Sequence, residues 1–321
     1  MRGRATGLHY KIHTIARFLT RHGAPSQRSR AFMQIVYLSC AVTLPEAPNR
    51  REDGFEHDQM MAALRPPIEA RGGVLIDLAW DDAAVDWSAF DAVVIGTAWD
   101  YWDRQEEFLA TLQQIEAKTR LFNPSRLVRW NSRKTYLKDL EARGTRILPT
   151  LWVDAVTVEN AKAAFDHFQA DDLVFKRQVG AGADGQYRLE RGDSLPTMSH
   201  PMMVQPFIPA IKEEGEFSFI FIDGDVSHAL VKRAAKNDYR IQSLYGGTEE
   251  KIIPPKEDLK AARAVFESLD ETPLYARVDM VRGSDGHLML MEIELIEPFL
   301  YPEQSEALGE RMARALVKRI S

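Results

Sequence analysis

Three carboxylates and one guanidinium stand on two short apolar segments joined by the Gly283–Gly286 turn, Arg277 and Asp279 before it, Glu292 and Glu294 after it. If the segments form a hairpin in which Arg282 faces His287, paired positions sum to a constant. Arg277 then lies opposite Glu292, and Asp279, Glu292 and Glu294 share one face. Like charges held this close repel unless a cation lies between them, and hard carboxylate oxygens suit Mg²⁺ shared with phosphate. A solvated charged face is the other reading. The intervening Met, Val, Leu and Ile favour a half-buried sheet and hence a metal site.

A second chemical signal is a strand ending in Lys176, a loop containing Gly180, Gly182 and Gly185, and a further strand reaching Leu189. Glycines let backbone N–H groups approach phosphate oxygens, and the lysine adds a point charge. Alone, the segment is equally a plain hairpin with a glycine turn. Its spacing matches neither the Walker pattern nor the dinucleotide fingerprint, so a nucleotide here needs another fold.

The elements that must position these groups follow from periodicity. Apolar strands at 35–38, 74–78 and 92–95 alternate with helical stretches at 57–71, interrupted by Pro66-Pro67, and at 103–118, which predicts a small parallel βαβ-type sheet. Asn123-Pro124 ends it, and Asn131 is expected to cap a helix running through Leu140 to a stop at Gly144. After a strand at 147–153 and a helix at 158–168 the period moves towards two. Phe175, Val204 and segments 217–222, 226–231, 276–281 and 288–293 are expected antiparallel strands, with helices at 257–269 and 303–319. The expected organisation is a basic extension over 1–32, an α/β domain over 34–124, and subdomains over 125–200 and 201–321. Residues 1–32 hold no Asp or Glu and are expected to be a dispensable extension: an upstream start before Met33, a transit-like presequence or a basic arm.

Composition limits the function classes. The chain has 321 residues, 45% hydrophobic and 27% charged, with a net charge of -6, which argues against a general nucleic-acid binder. One cysteine, Cys40 in an apolar run, excludes an internal disulfide and a Cys-rich metal site, and it fits a buried structural thiol better than a nucleophile. No apolar run is long enough to span a bilayer, and a cytoplasmic location fits best.

Taken together, the residues resemble the ATP-grasp superfamily, in particular its glutathione-synthetase-like branch with the D-alanine:D-alanine ligases. The resemblance runs from Ile35 to the C-terminus. Asn131-Ser-Arg-Lys134 is similar to the family's first ATP-contacting lysine at a helix start, and Phe175-Lys176 to its second, before the phosphate-covering glycine loop. Met203-Val-Gln205-Pro-Phe207 resembles the adenine hinge, where the Gln205–Phe207 backbone would meet the adenine edge. A following acid, Glu216 or one of Glu213 and Glu214, would hold the ribose. Lys232-Arg233 and Tyr239-Arg240 through Gly246-Gly247 resemble the acyl-phosphate wall, and Asp279, Glu292 and Glu294 fall at the magnesium-ligand positions. Gly96-Thr-Ala-Trp99-Asp-Tyr-Trp102 and Leu127-Val-Arg-Trp130-Asn131 look like the group that includes the D-cycloserine-forming enzyme.

The resemblance implies a small parallel-sheet domain followed by two α+β subdomains sandwiching ATP. It implies a carboxylate–amine ligase acting through an acyl phosphate on a small amino-acid-like substrate with two Mg²⁺ ions. Arg277 would stabilise the carboxylate, and Arg240 or Arg233 the tetrahedral intermediate. Two departures matter: Glu294 stands where asparagine is usual, and Ser218 where several relatives keep arginine. They keep open a nucleotide-binding module without turnover; a small-molecule kinase is a third reading. The expected partners are small-molecule carboxylate and amine substrates, and a homodimer is an arrangement the sequence leaves open.

Overall fold

The computed structural model describes residues 32–180, 182, 185–235 and 246–321. Strand β1 (Met33–Ser39) opens a parallel sheet, and its alternate residues supply both faces: Ile35 and Tyr37 to one core, Val36 and Leu38 to another. Helix α1 (Gly54–Glu69) follows, then β2 (Gly73–Ala79), β3 (Ala92–Ile95), α2 (Gln105–Glu116) and β4 (Arg120–Phe122), with strand order β2-β1-β3-β4. Phe108, Leu109, Leu112 and Ile115 recur at helical spacing and bury α2 on one face of the sheet. The expected interruption at Pro66-Pro67 does not occur. Both prolines sit in the last turns, Pro66 O accepts from Ala70 N at 2.9 Å, and Leu64 and Ile68 anchor the helix on either side.

Helices α3 (Ser125–Asn131) and α4 (Tyr136–Ala142) replace the single capped helix expected from Asn131. Asn131 closes α3 and does not cap α4. Its amide donates to Ile293 O (2.8 Å) and accepts from Leu295 N (3.0 Å), tying α3 to the far end of the chain. Gly144 does stop α4, with φ +93°, a conformation that needs no Cβ.

The second sheet, ordered β5-β8-β6-β7, joins β5 (Leu151–Val153), β6 (Asp172–Arg177), β7 (Tyr187–Glu190) and β8 (Met202–Pro206), backed by α5 (Val158–Phe168). The boundary expected at 200/201 would cut β8 from the sheet it completes between β5 and β6. The third sheet, ordered β11-β10-β9-β12-β13, contains β9 (Glu216–Ile222), β10 (Asp225–Arg233), β11 (Thr248–Ile252), β12 (Tyr275–Arg282) and β13 (Leu288–Glu294). Helix α6 (Lys256–Glu267) covers one face. The last helix, α7 (Leu308–Ile320), packs both on α1 and on β9 of the third sheet. A Cβ on Gly309 would stand 1.9 Å from Ala63 O, so only glycine allows that approach. Among the described residues no helix is long and apolar enough to cross a membrane.

Candidate active site

A cleft of about 470 Å³ opens between the second and third sheets, and period-two alternation decides what lines it. In β6, Leu173 and Phe175 enter the core while Val174 and Lys176 face the cleft. In β9, Phe217 and Phe219 enter the core while Glu216 faces the cleft. Arg277 and Asp279 alternate in the same way with Ala276, Val278 and Met280 on β12.

The hairpin register differs from the expected one. Arg282 pairs with Leu288, and an irregularity between Asp279 and Met280 shifts the ladder. Asp279 consequently faces Glu292, and Arg277 faces Glu294 rather than Glu292. Leu290 pairs with Met280 while Glu292 pairs with Asp279, so Met291 is the unpaired residue of a β-bulge. The three carboxylates still share the cleft face. They do not converge on a single point: Glu292 is paired with Lys134, Glu294 with Arg277, and Asp279 takes Arg277 Nε (3.0 Å), Lys232 (3.3 Å) and the Ser218 hydroxyl. Ser218, where relatives carry arginine, thus serves to hold Asp279.

Electrostatics mark the wall as strained by like charge. Burial raises Glu294 to about 7 against the pull of Arg277, and Glu292 and Asp279 add repulsion. Burial would raise Asp279 too, but Arg277 and Lys232 outweigh it and hold its carboxyl below the ordinary range. Burial opposes the charge on Lys134 and Lys232, yet their acidic neighbours raise both. Lys176 goes the other way: burial lowers it, and no ion pair among the described residues compensates. Glu216 is pushed up by burial in spite of its pair with Lys232.

Other expected site residues divide clearly. Gly180 and Gly182 line the cleft, whereas Gly185 packs against Arg177, where a Cβ would meet Cδ at 2.6 Å. Gln205 and Phe207 line it, but the Phe207 amide donates to Asp172 O at 2.9 Å, so it is not free for an adenine edge as expected. The Gln205 side chain offers an acceptor instead. Its Nε2 donates to Thr150 Oγ1 at 2.9 Å, and its buried Oε1 has no partner among the described residues. Of the three ribose candidates Glu216 is in the cleft, Glu213 is exposed, and Glu214 pairs with Arg282 at 2.7 Å. Arg233 is a correction: strand alternation turns it opposite to Lys232, out to solvent and onto Glu250 at 2.7 Å. Arg240 lies outside the described residues.

Sequence reasoning put the first domain on the substrate side, with the Gly96–Trp102 phrase at the sheet edge where ligands bind, but named no site residue there, and it missed the segment after β13. Trp99, Tyr101, Trp102, Arg51 and Glu297 all line the cleft. The aromatic phrase after β3 was legible, and the acid in Leu295-Ile-Glu297-Pro stood just beyond the metal-ligand positions. Cys40 is fully buried and raised by that burial, as fits a structural thiol.

Comparison with known proteins places this geometry. The family described as D-cycloserine synthetase DcsG, N-terminal domain, matches residues 35–123. The cycloserine biosynthesis protein DcsG of Streptomyces lavendulae is 33% identical over 265 residues, covering 75% of this chain and 87% of that protein. The chain belongs to the D-cycloserine synthetase group of the ATP-grasp ligases. The crystal structure of D-cycloserine synthetase DcsG superposes on the ligase with a TM-score of 0.76 at 29% identity, over 90% of this chain and all of that one. The ATP-grasp ligase PsnB, solved with a phosphomimetic precursor variant, Mg and ADP, shares the fold at a TM-score of 0.62 and 16% identity, over 91% of this chain and all of that one. The ligase is thus an enzyme that forms C–N bonds, with the mixed α/β architecture of its group.

Proposed function

We propose that the ligase couples a small amino-acid-like carboxylate to an amine through an acyl phosphate, converting ATP to ADP and phosphate. The observation that carries this reading is one cleft in which Lys134, Lys176, Lys232 and Arg277 face Asp279, Glu292 and Glu294. The donor set fits Mg·ATP on two counts. A divalent ion offsets the burial and the like-charge repulsion that raise Glu294, and the Gln205 Oε1, without a partner among the described residues, suits the exocyclic amine of adenine. Asp279, Glu292 and Glu294 would hold two Mg²⁺ ions, Gln205 and Phe207 the base, and Glu216 the ribose. When bound, Mg·ATP supplies the transferable phosphoryl group and the charge that neutralises it.

Within that reading the protein's own groups bind and orient. Lys134 and Lys176 neutralise phosphate oxygens, and Lys176, which has no ion pair among the described residues, is suited to an incoming anion. The loop carrying Gly180, Gly182 and Gly185 covers the phosphates and excludes water. Arg277, fixed by Asp279 and by Phe299 O at 3.1 Å, presents its guanidinium to the substrate carboxylate. Arg240 remains a candidate donor to the tetrahedral intermediate, and Arg233 is withdrawn from that role.

Oxygen-18 in the substrate carboxylate tests the order of chemistry. Label is expected in released phosphate, with ADP as the nucleotide product. AMP would refute acyl-phosphate activation, and ADP release that needs no carboxylate would favour a kinase.

A further inference from the structure

The nucleotide and metal assignments leave two buried acids of the cleft unused, Asp53, which pairs with Arg51 at 2.6 Å, and Glu297. Glu297 lines it and is 8% exposed. Among the described residues its carboxylate receives no hydrogen bond or ion pair: Lys134 is taken by Glu292, and Arg277 by Asp279 and Glu294. The carboxylate is open to the cleft rather than sealed inside the protein, and so is placed to meet something that is not part of the chain.

Its surroundings say what that is. The Tyr275 hydroxyl stands 2.8 Å from Ile95 O and 2.7 Å from Ile296 O, pinning the end of β3 to the segment carrying Glu297. Trp99 Nε1 donates to the backbone oxygen of Glu297 itself at 3.0 Å. The acid therefore stands where the third sheet meets the aromatic loop of the first domain, beside the cleft residues Trp99 and Tyr101. A carboxylate beside aromatic faces recognises a cation, and ring faces reject an anion such as phosphate.

We propose that Glu297 is the receptor for a primary ammonium group of the substrate. The proposal rests on the ligase reading and deepens it. It adds a polar anchor at the substrate end of the cleft, contributed by neither the nucleotide wall nor the glycine loop. Burial, with repulsion from Glu294 and Glu292, keeps its carboxyl well above the ordinary range, and an arriving cation reverses that penalty. Two sources share this chemistry, the α-ammonium of the activated amino acid and the attacking amine.

The test begins by screening D- and L-amino acids as acids, with hydroxylamine, uncharged at neutral pH, as acceptor, reading phosphate and hydroxamate. The fastest acid is then the probe. Glu297→Gln removes the charge at constant shape and is expected to raise the KM of the ammonium-bearing reactant at least about 30-fold, with kcat changed far less. Affinity for a fluorescent ATP analogue should stay within about twofold, and Glu297→Asp should recover part of the loss. A KM effect that persists with hydroxylamine assigns the α-ammonium; one seen only with methylamine as acceptor assigns the attacking amine. Unchanged KM values for both, or nucleotide affinity that falls in step, would overturn the proposal. If the wild type showed no acid-dependent phosphate release, the ligase reading would fail separately. Melting with n-propylamine against a sodium chloride control would still decide Glu297, because the cation should stabilise the wild type and not Glu297→Gln.

Discussion

Asp279→Asn and Glu292→Gln remove the same charge from facing positions of one hairpin, yet the structure predicts different outcomes. Asp279 is 3% exposed and is the shared acceptor for Arg277, Lys232 and Ser218. An amide there keeps one acceptor oxygen and turns N–H donors towards two buried cations. Breaking a buried charged pair costs about 3–5 kcal/mol. The lower end applies, because Lys232 keeps Glu216 and Arg277 keeps Glu294. At roughly 2–4 °C per kcal/mol that is a fall of about 6–12 °C in melting temperature. The Glu292 side chain is 33% exposed and makes one pair, with Lys134. Its neutralisation should cost about 1 kcal/mol or less and move the melting temperature by no more than about 4 °C. Turnover should nonetheless fall at least about 100-fold in both variants, since each loses a carboxylate meant for the nucleotide's metal. Circular-dichroism melts and ADP release with the amino-acid panel separate the two effects. Glu292→Gln turning over within about threefold of wild type would refute the metal assignment. Asp279→Asn melting with the wild type would refute the buried network.

Gln205→Leu removes an acceptor that has no partner among the described residues and the Nε2 bond to Thr150, so melting should fall by only about 2–4 °C while affinity for a fluorescent ATP analogue falls about tenfold; tighter or equal binding would detach Gln205 from the base. Arg233→Ala should leave turnover within about twofold, because its exposed pair with Glu250 is worth about 1 kcal/mol at most. Lys232→Met, on the adjacent residue but facing the cleft, should cost at least about 100-fold in the same ADP-release assay.

What the sequence by itself determined was whatever depends on local periodicity and backbone freedom. Alternation put Asp279, Glu292 and Glu294 on one face, the resemblance supplied Glu216 and Lys232, and the apolar periods located the parallel strands and the antiparallel hairpin. The Gly144 stop was legible because a left-handed residue after a helix is a local requirement. Tertiary structure decided what depends on partners distant in the chain. The Met291 bulge shifted the hairpin register, because packing Leu290 and Ile293 into the same core needs an extra residue between them. Asn131 left its expected cap for β13, and α7 returned to α1, since each found its partner more than a hundred residues away. Residue type alone could not separate Lys232 from Arg233, nor show that Gln205 is oriented by Thr150. Nor could it single out Glu297 as a cleft acid with no ion pair among the described residues. Burial and satisfaction of polar groups are properties of the assembled cleft, where each side chain competes for neighbours the sequence does not place beside it.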